Sequence, residues 1–267
     1  MSGNTKQLRN RIKSVDSTLH LTRAMGLVAS SKIRRATDAM NKGREYEQAF
    51  HAAINGLLCS PECRKSPYMQ TREDGEICLV VIAGDRGLAG GYNANVFRML
   101  REYADATVIP IGKRACDRFK SETISAEHFD CATAMGLAAD LCRDFAEGKY
   151  RKVGILCTRY RSMMSQEAEI RWILPLEGSE KAPSQSVIFE PDEITVLNEA
   201  VPEYVAGLLV SAVRESFASE VAARRCAMDS AGKNAQQMID QLQLEYNRAR
   251  QGAITQEITE IVAGSSV

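Results

Sequence analysis

The sequence predicts a mixed α/β protein: a long antiparallel two-helix coiled coil formed by the N- and C-terminal helices, plus a central Rossmann-like α/β domain. Three observations carry this prediction. Long apolar stripes at helical spacing occupy both ends of the chain, strand-like and helix-like runs alternate between them, and the N-terminal stripe is too long to fit inside a globule. Of the 267 residues 45% are hydrophobic, an ordinary share for a folded protein, and 6% are aromatic, too few for an aromatic-rich β-sandwich.

The N-terminal stripe comes first. From Leu8, steps of four and three residues land on Ile12, Val15, Leu19, Thr22, Gly26, Ala29, Ile33, Ala36 and Met40, then through Gly43 and Glu47 on Phe50, Ile54 and Leu57. This 3.5-residue period has no proline before Pro61. A helix of about 55 residues is roughly 80 Å long, whereas a compact chain of this length has a radius of gyration of about 18 Å. Such a helix must protrude, and a protruding apolar seam needs a partner.

The other end supplies one. After Pro202, expected only in a helix's first turn, no proline occurs, and Val205, Leu208, Leu209, Ala212, Val213, Phe217, Val221, Met228, Ala231, Ala235, Met238, Leu242, Ile254, Ile258 and Ile261 continue a stripe. Glycines at 43, 56, 207, 232 and 252 fall inside these helices, which suits either close helix approach or a shaft smoothed for a surrounding partner. The expected organisation is an N-terminal coiled-coil helix over 1–58, a linker over 59–75 marked by Pro61, Pro67, Asp74 and Gly75, an α/β domain over 76–185, and a C-terminal helix over 186–267.

Within the centre, ICLVVIA at 77–83 reads as a buried strand and 93–103 as a helix. TVIPI at 107–111 reads as a second strand that Pro110 weakens or ends. A helix over 131–147, a third strand over 152–160 and an alternating strand through Ile170, Trp172, Leu174 and Leu176 follow. Strands alternating with helices point to a largely parallel sheet.

Zero net charge conceals asymmetry. Residues 1–44 carry ten Lys/Arg against two Asp/Glu, and the two remaining stretches, 45–200 and 201–267, are each net acidic. An anionic partner for the N-terminal segment is expected: nucleic acid, an acidic lipid face or an acidic protein surface. Nucleic acid fits poorly, because no aromatics interleave the charges. No apolar run approaches the roughly 20 residues of a membrane helix, and the N-terminus lacks the apolar core of a secretory signal. A soluble, cytoplasmic protein is the expectation. The eight cysteines are scattered, and the close pair Cys59 and Cys63 has no second pair to complete a zinc site.

GDRGLAGGYN at 84–93 follows a strand and precedes a helix, where a phosphate loop would sit. It lacks dinucleotide or P-loop spacing, and Asn93 as an N-cap accounts for part of it. His20, His51 and His128 are far apart, and Glu257 with Glu260 reads as a solvated helix face. No catalytic residue, cofactor or metal is expected.

At the two ends the residues resemble a known family. LRNRIKSVDST from Leu8, LTRAMGLVASSKIRRA from Leu21, SEVAARRCAMDSA from Ser219 and LEYNRARQGAITQEITEIVAG from Leu244 are similar to the gamma subunit of F-type ATP synthase, of bacterial type. The glycine-rich turn and IGKR from Ile111 also resemble it. The resemblance implies a non-catalytic central-stalk rotor that transmits torque between a membrane c-ring and a catalytic head during ATP synthesis coupled to proton transport. It implies alpha, beta and epsilon subunits and the c-ring as partners, with attachment to the cytoplasmic face of the bacterial membrane only through the complex. Contacts with the alpha/beta head map onto Arg9, Lys13 and Met25, and onto Arg224, Arg250, Gln251 and Thr255. Gly26, Ser30, Ala89 and Gly252 depart from the family's usual residues. Two rivals remain: a coiled-coil adaptor for an acidic protein, from which the C-terminal run discriminates, and an α/β nucleotide-binding enzyme.

Overall fold

A computed structural model describes residues 2–178 and 189–264. In chain order it holds α1 (Ser2–Cys59), β1 (Glu76–Ile82), α2 (Tyr92–Leu100), β2 (Thr107–Ile111), α3 (Lys113–Phe119), α4 (Cys131–Ala146), β3 (Tyr150–Tyr160), β4 (Gln166–Leu174) and α5 (Glu193–Gly264). The sheet order is β2-β1-β3-β4, with β1 parallel to both neighbours and β4 antiparallel to β3. Pro110 does not end β2: it pairs with Val81, and β2 tolerates it as an edge strand. The boundary expected between 185 and 186 lies outside the described residues.

The chain divides into two compact units, one of residues 1–30 with 225–267 and one of residues 31–224. In the second unit the period-two rule sorts β1 onto two faces. Cys78, Val80 and Ile82 face a core shared with Phe145 and Leu141 of α4, Leu197, Val205 and Leu209 of α5, and Ile54 and Leu57 of α1. Leu79 and Val81 face a smaller core with Val96 and Leu100 of α2. Here α1 and α5 run antiparallel, with Phe50 stacked on Tyr204 and Ser211 donating to Glu47. Close approach explains two of the interior glycines. A Cβ on Gly43 would lie 3.4 Å from the Ser211 Cα, and one on Gly207 would lie 2.7 Å from Tyr46. One stretch of α5 is long and apolar enough to cross a membrane, but half of it is buried inside the fold, as for the core helix of a globular protein.

In the first unit the same two helices again pair antiparallel. Leu19, Thr22, Gly26 and Ala29 are buried with Met228, Ala235 and Leu242, and the Arg225 guanidinium donates to the Gly26 carbonyl at 3.0 Å. The seam stops short of its predicted length: Ile254, Ile258 and Ile261 are exposed. The register that sets Gly26 beside Met228 carries the described part of α1 only to about the level of Gly252, so among the described residues α1 does not cover those side chains.

Two further expectations are corrected. Pro202 is not in a first turn, because α5 begins at Glu193. The proline leaves the Asn198 carbonyl without its helical bond, while Leu197, Val201 and Val205 stay fully buried around it. Asn93 is not the N-cap of α2. That position is Gly91, and the Asn93 side chain instead accepts from the Gly84 N–H at 2.9 Å.

Candidate functional surface

In the first unit, α1 presents Arg9 and Lys13 to solvent one turn apart, and Met25 is half-buried further along. On α5 of the same unit Arg250, Gln251 and Thr255 are exposed, and the Thr255 hydroxyl donates back to the Gln251 carbonyl at 3.0 Å. Around these lie exposed apolar side chains: Leu27 is 68% accessible and Ile261 70%, with Leu21, Val28, Leu244 and Ile258 also more than half exposed. Large exposed apolar surface rimmed by charge marks an interaction surface. A helix pair built this way can bind and push; it carries no grouping of His, Cys, Asp or Glu suited to a metal among the described residues.

Arg224, in the other unit, is placed differently. Its guanidinium pairs with Glu220 and donates through Nε to the Gly87 carbonyl at 3.2 Å. Glu220 is 2% exposed, and a Cβ on Gly84 would come within 2.7 Å of its carboxyl carbon. The glycine-rich turn therefore wraps a carboxylate of its own chain, and the backbone N–H of Arg86 serves that carboxylate. Burial raises the Glu220 carboxyl above the ordinary range against the pull of Arg224. The adjoining Asp85 goes the other way. Burial alone would raise it, but donors from the Glu127 N–H (2.8 Å), the Lys113 N–H (2.9 Å), the Ser125 hydroxyl (2.7 Å) and the Ala126 N–H (3.1 Å) together hold it low. These bonds fasten α3 and the segment before α4 to the turn. A phosphate would meet Glu220 where it needs donors, so the turn is built as a structural clasp.

Sequence reasoning missed a second feature. On α5, Ser211, Glu215, Ser216, Ser219 and Glu220 are all buried. Their spacing of four, one, three and one residues is helical, and that polar stripe beside Ala212 and Val213 was the available signal. The Ser216 hydroxyl accepts from the Thr158 N–H at 3.1 Å, the Ser219 hydroxyl donates to the Thr158 carbonyl at 3.2 Å, and the Tyr92 hydroxyl donates to the Ser216 carbonyl at 3.0 Å. Among the described residues, helix α3 was also missed; its seven residues follow Gly112, whose φ of 89° only glycine adopts easily.

Comparison with known proteins decides between the rivals. The family described as ATP synthase matches residues 4–267. The ATP synthase gamma chain of Ruminococcus albus is 38% identical, covering 98% of both chains. The ATP synthase gamma chain, sodium ion specific, of Acetobacterium woodii is 34% identical over 99% of each. This chain belongs to the ATP synthase gamma chain family. It is a non-catalytic central-stalk subunit of the F-type ATP synthase, a membrane-bound complex, and the adaptor and nucleotide-enzyme alternatives fall away. The fold agrees: a chain in the cryo-EM structure of the rotor of the Euglena gracilis mitochondrial ATP synthase superposes with a TM-score of 0.64 at 19% identity, covering 95% of this chain and 100% of that one.

Proposed function

We propose that the pair of helices formed by residues 2–30 and 225–264 is the end of the stalk enclosed by the alpha and beta subunits. The sheet-bearing part would then meet the c-ring and the epsilon subunit at the cytoplasmic face of the bacterial membrane. In this scheme 1–58 and 186–267 act as the shaft, 59–75 as a linker and 76–185 as the α/β domain, and rotation driven by proton flow is delivered to the catalytic sites. The observation that carries it is the uncovered apolar surface of this unit, Leu27 and Ile261 above all, on a chain whose family has the stalk role.

A rotor can favour one catalytic state over another only by contacting them unequally. Arg9 and Lys13 are suited to acidic loops of the beta subunit, with Met25 beside them as an adaptable apolar contact. Arg250, Gln251 and Thr255 offer polar side chains to loops deeper in the head. Arg224 contributes by holding α5 against the glycine-rich turn, since its guanidinium is committed to Glu220 and Gly87. Co-expression with the alpha and beta subunits tests the scheme. The unmodified chain is expected to co-purify with both, and Ile258→Asp with Ile261→Asp to weaken retention. Failure of the unmodified chain to be retained would overturn it.

A further inference from the structure

The sheet meets the helices α1 and α5 through a face that is mostly apolar. Apolar burial resists separation but has no direction, so by itself it resists sliding poorly. One group in the second unit supplies direction. Glu215 is 1% exposed and projects from α5. Its Oε1 accepts from the Arg44 guanidinium of α1 at 2.5 Å and from the Tyr160 N–H at the end of β3 at 3.0 Å. Its Oε2 accepts from Arg171 of β4. The same arginines extend the ties: Arg44 donates to the Tyr160 carbonyl at 3.0 Å, and Arg171 reaches Glu169 at 2.7 Å and Glu47 of α1 at 3.9 Å. A single carboxylate thus bonds both long helices and two strands.

Stability is a weak reason for such a group. Desolvating an ion cluster offsets most of its Coulomb gain, and well-packed apolar residues commonly do as well. What charged hydrogen bonds add is geometry, because each fixes a distance and an angle. We infer that Glu215 is the positioning residue that pins the sheet to the helix pair, so that torque applied to one is passed to the other without slip. The inference rests on the central-stalk role, and it concerns stiffness: the pin touches no nucleotide and no reacting atom.

The test uses the complex assembled with alpha and beta subunits, fixed through the head, with a bead on the sheet through Arg151→Cys in a Cys131→Ser background. The angular variance of the bead during a nucleotide-arrested dwell reads the torsional compliance between sheet and head. Glu215→Gln is expected to widen that variance severalfold while unloaded ATP hydrolysis stays as in the unmodified complex. Glu215→Asp should lie between the two, and Arg171→Met should reproduce the widening without adding to it in the double variant. A turning bead with unchanged variance in these variants overturns the inference alone. A bead that the unmodified chain never turns overturns the stalk scheme and the inference together. Should Glu215→Gln fail to assemble, Arg44→Gln removes one tie from a more accessible side chain, and an unchanged variance there is equally decisive.

Discussion

Asp85 shows how a single carboxylate holds several elements. Four donors converge on it from α3 and from the segment ahead of α4, and its folded pKa lies below the ordinary aspartate value. A depressed carboxylate contributes stability that is full above its unfolded pKa and is lost as pH falls through the folded one. Unfolding midpoints in urea should therefore drop as pH is lowered from about 5 towards 3, in part through this group. Asp85→Asn should lower the midpoint near neutrality and flatten that acid slope. An unchanged slope would show that other carboxylates carry the acid sensitivity. Glu220 on α5, which feels the Asp85 charge, is shifted upward chiefly by burial and opposes this trend, gaining stability as pH falls.

At the scale of elements, α5 is the member that does several jobs. Its first turns line the main core, its middle carries the buried polar stripe, and its last turns stand uncovered. Burial therefore falls along one continuous helix, and in the final turns the described side-chain bonds lie within the helix itself, a support that is marginal in water. Removing the last ten residues, Ile258 and Ile261 among them, should leave the core intact and weaken retention by alpha and beta without abolishing assembly, while lowering the ion pumping obtained per ATP hydrolysed. Pumping at unchanged efficiency would show that these turns make no productive contact. Pro202 belongs to the same lesson: a proline well inside a helix is tolerated because fully buried neighbours on either side hold that helix in place.

For the whole molecule, coupling requires that contact at the head be communicated to bodies that never touch nucleotide. Arg224 fixes α5 to the glycine-rich turn through Glu220 and Gly87, and the proposed scheme gives it a place on that route. Arg224→Ala leaves the Glu220 carboxylate buried without its cation, a loss of about 3–5 kcal/mol for such pairs. In the assembled enzyme this substitution should lower multisite turnover more than single-site nucleotide binding, because only multisite turnover demands rotation. Equal effects on both would refute the role. Arg224→Lys, which keeps a charge near Glu220 without the second fixed bond, should recover part of the turnover.

The pattern of residues alone determined the pairing of the two ends, since Leu19, Ala29, Ala36, Met40 and Leu57 recur at a period only a helical seam explains and all are buried as expected. It also located the four strands among the described residues, because runs such as ICLVVIA and KVGILCTRY are short, β-branched and suited to burial in a sheet. What it left open were features set by distance across the fold. The charge on Glu215 is worth burying only where Arg44 and Arg171, far away in sequence, arrive beside it. The glycine-rich turn sits where a phosphate loop would and lacks its spacing, but that Glu220 fills it is visible only in the fold. The end of the seam was fixed by where the opposite helix runs out. Periodicity is a local property that each segment carries with it, whereas the partner of a buried charge, or the absence of a covering helix, exists only once distant segments have been brought together.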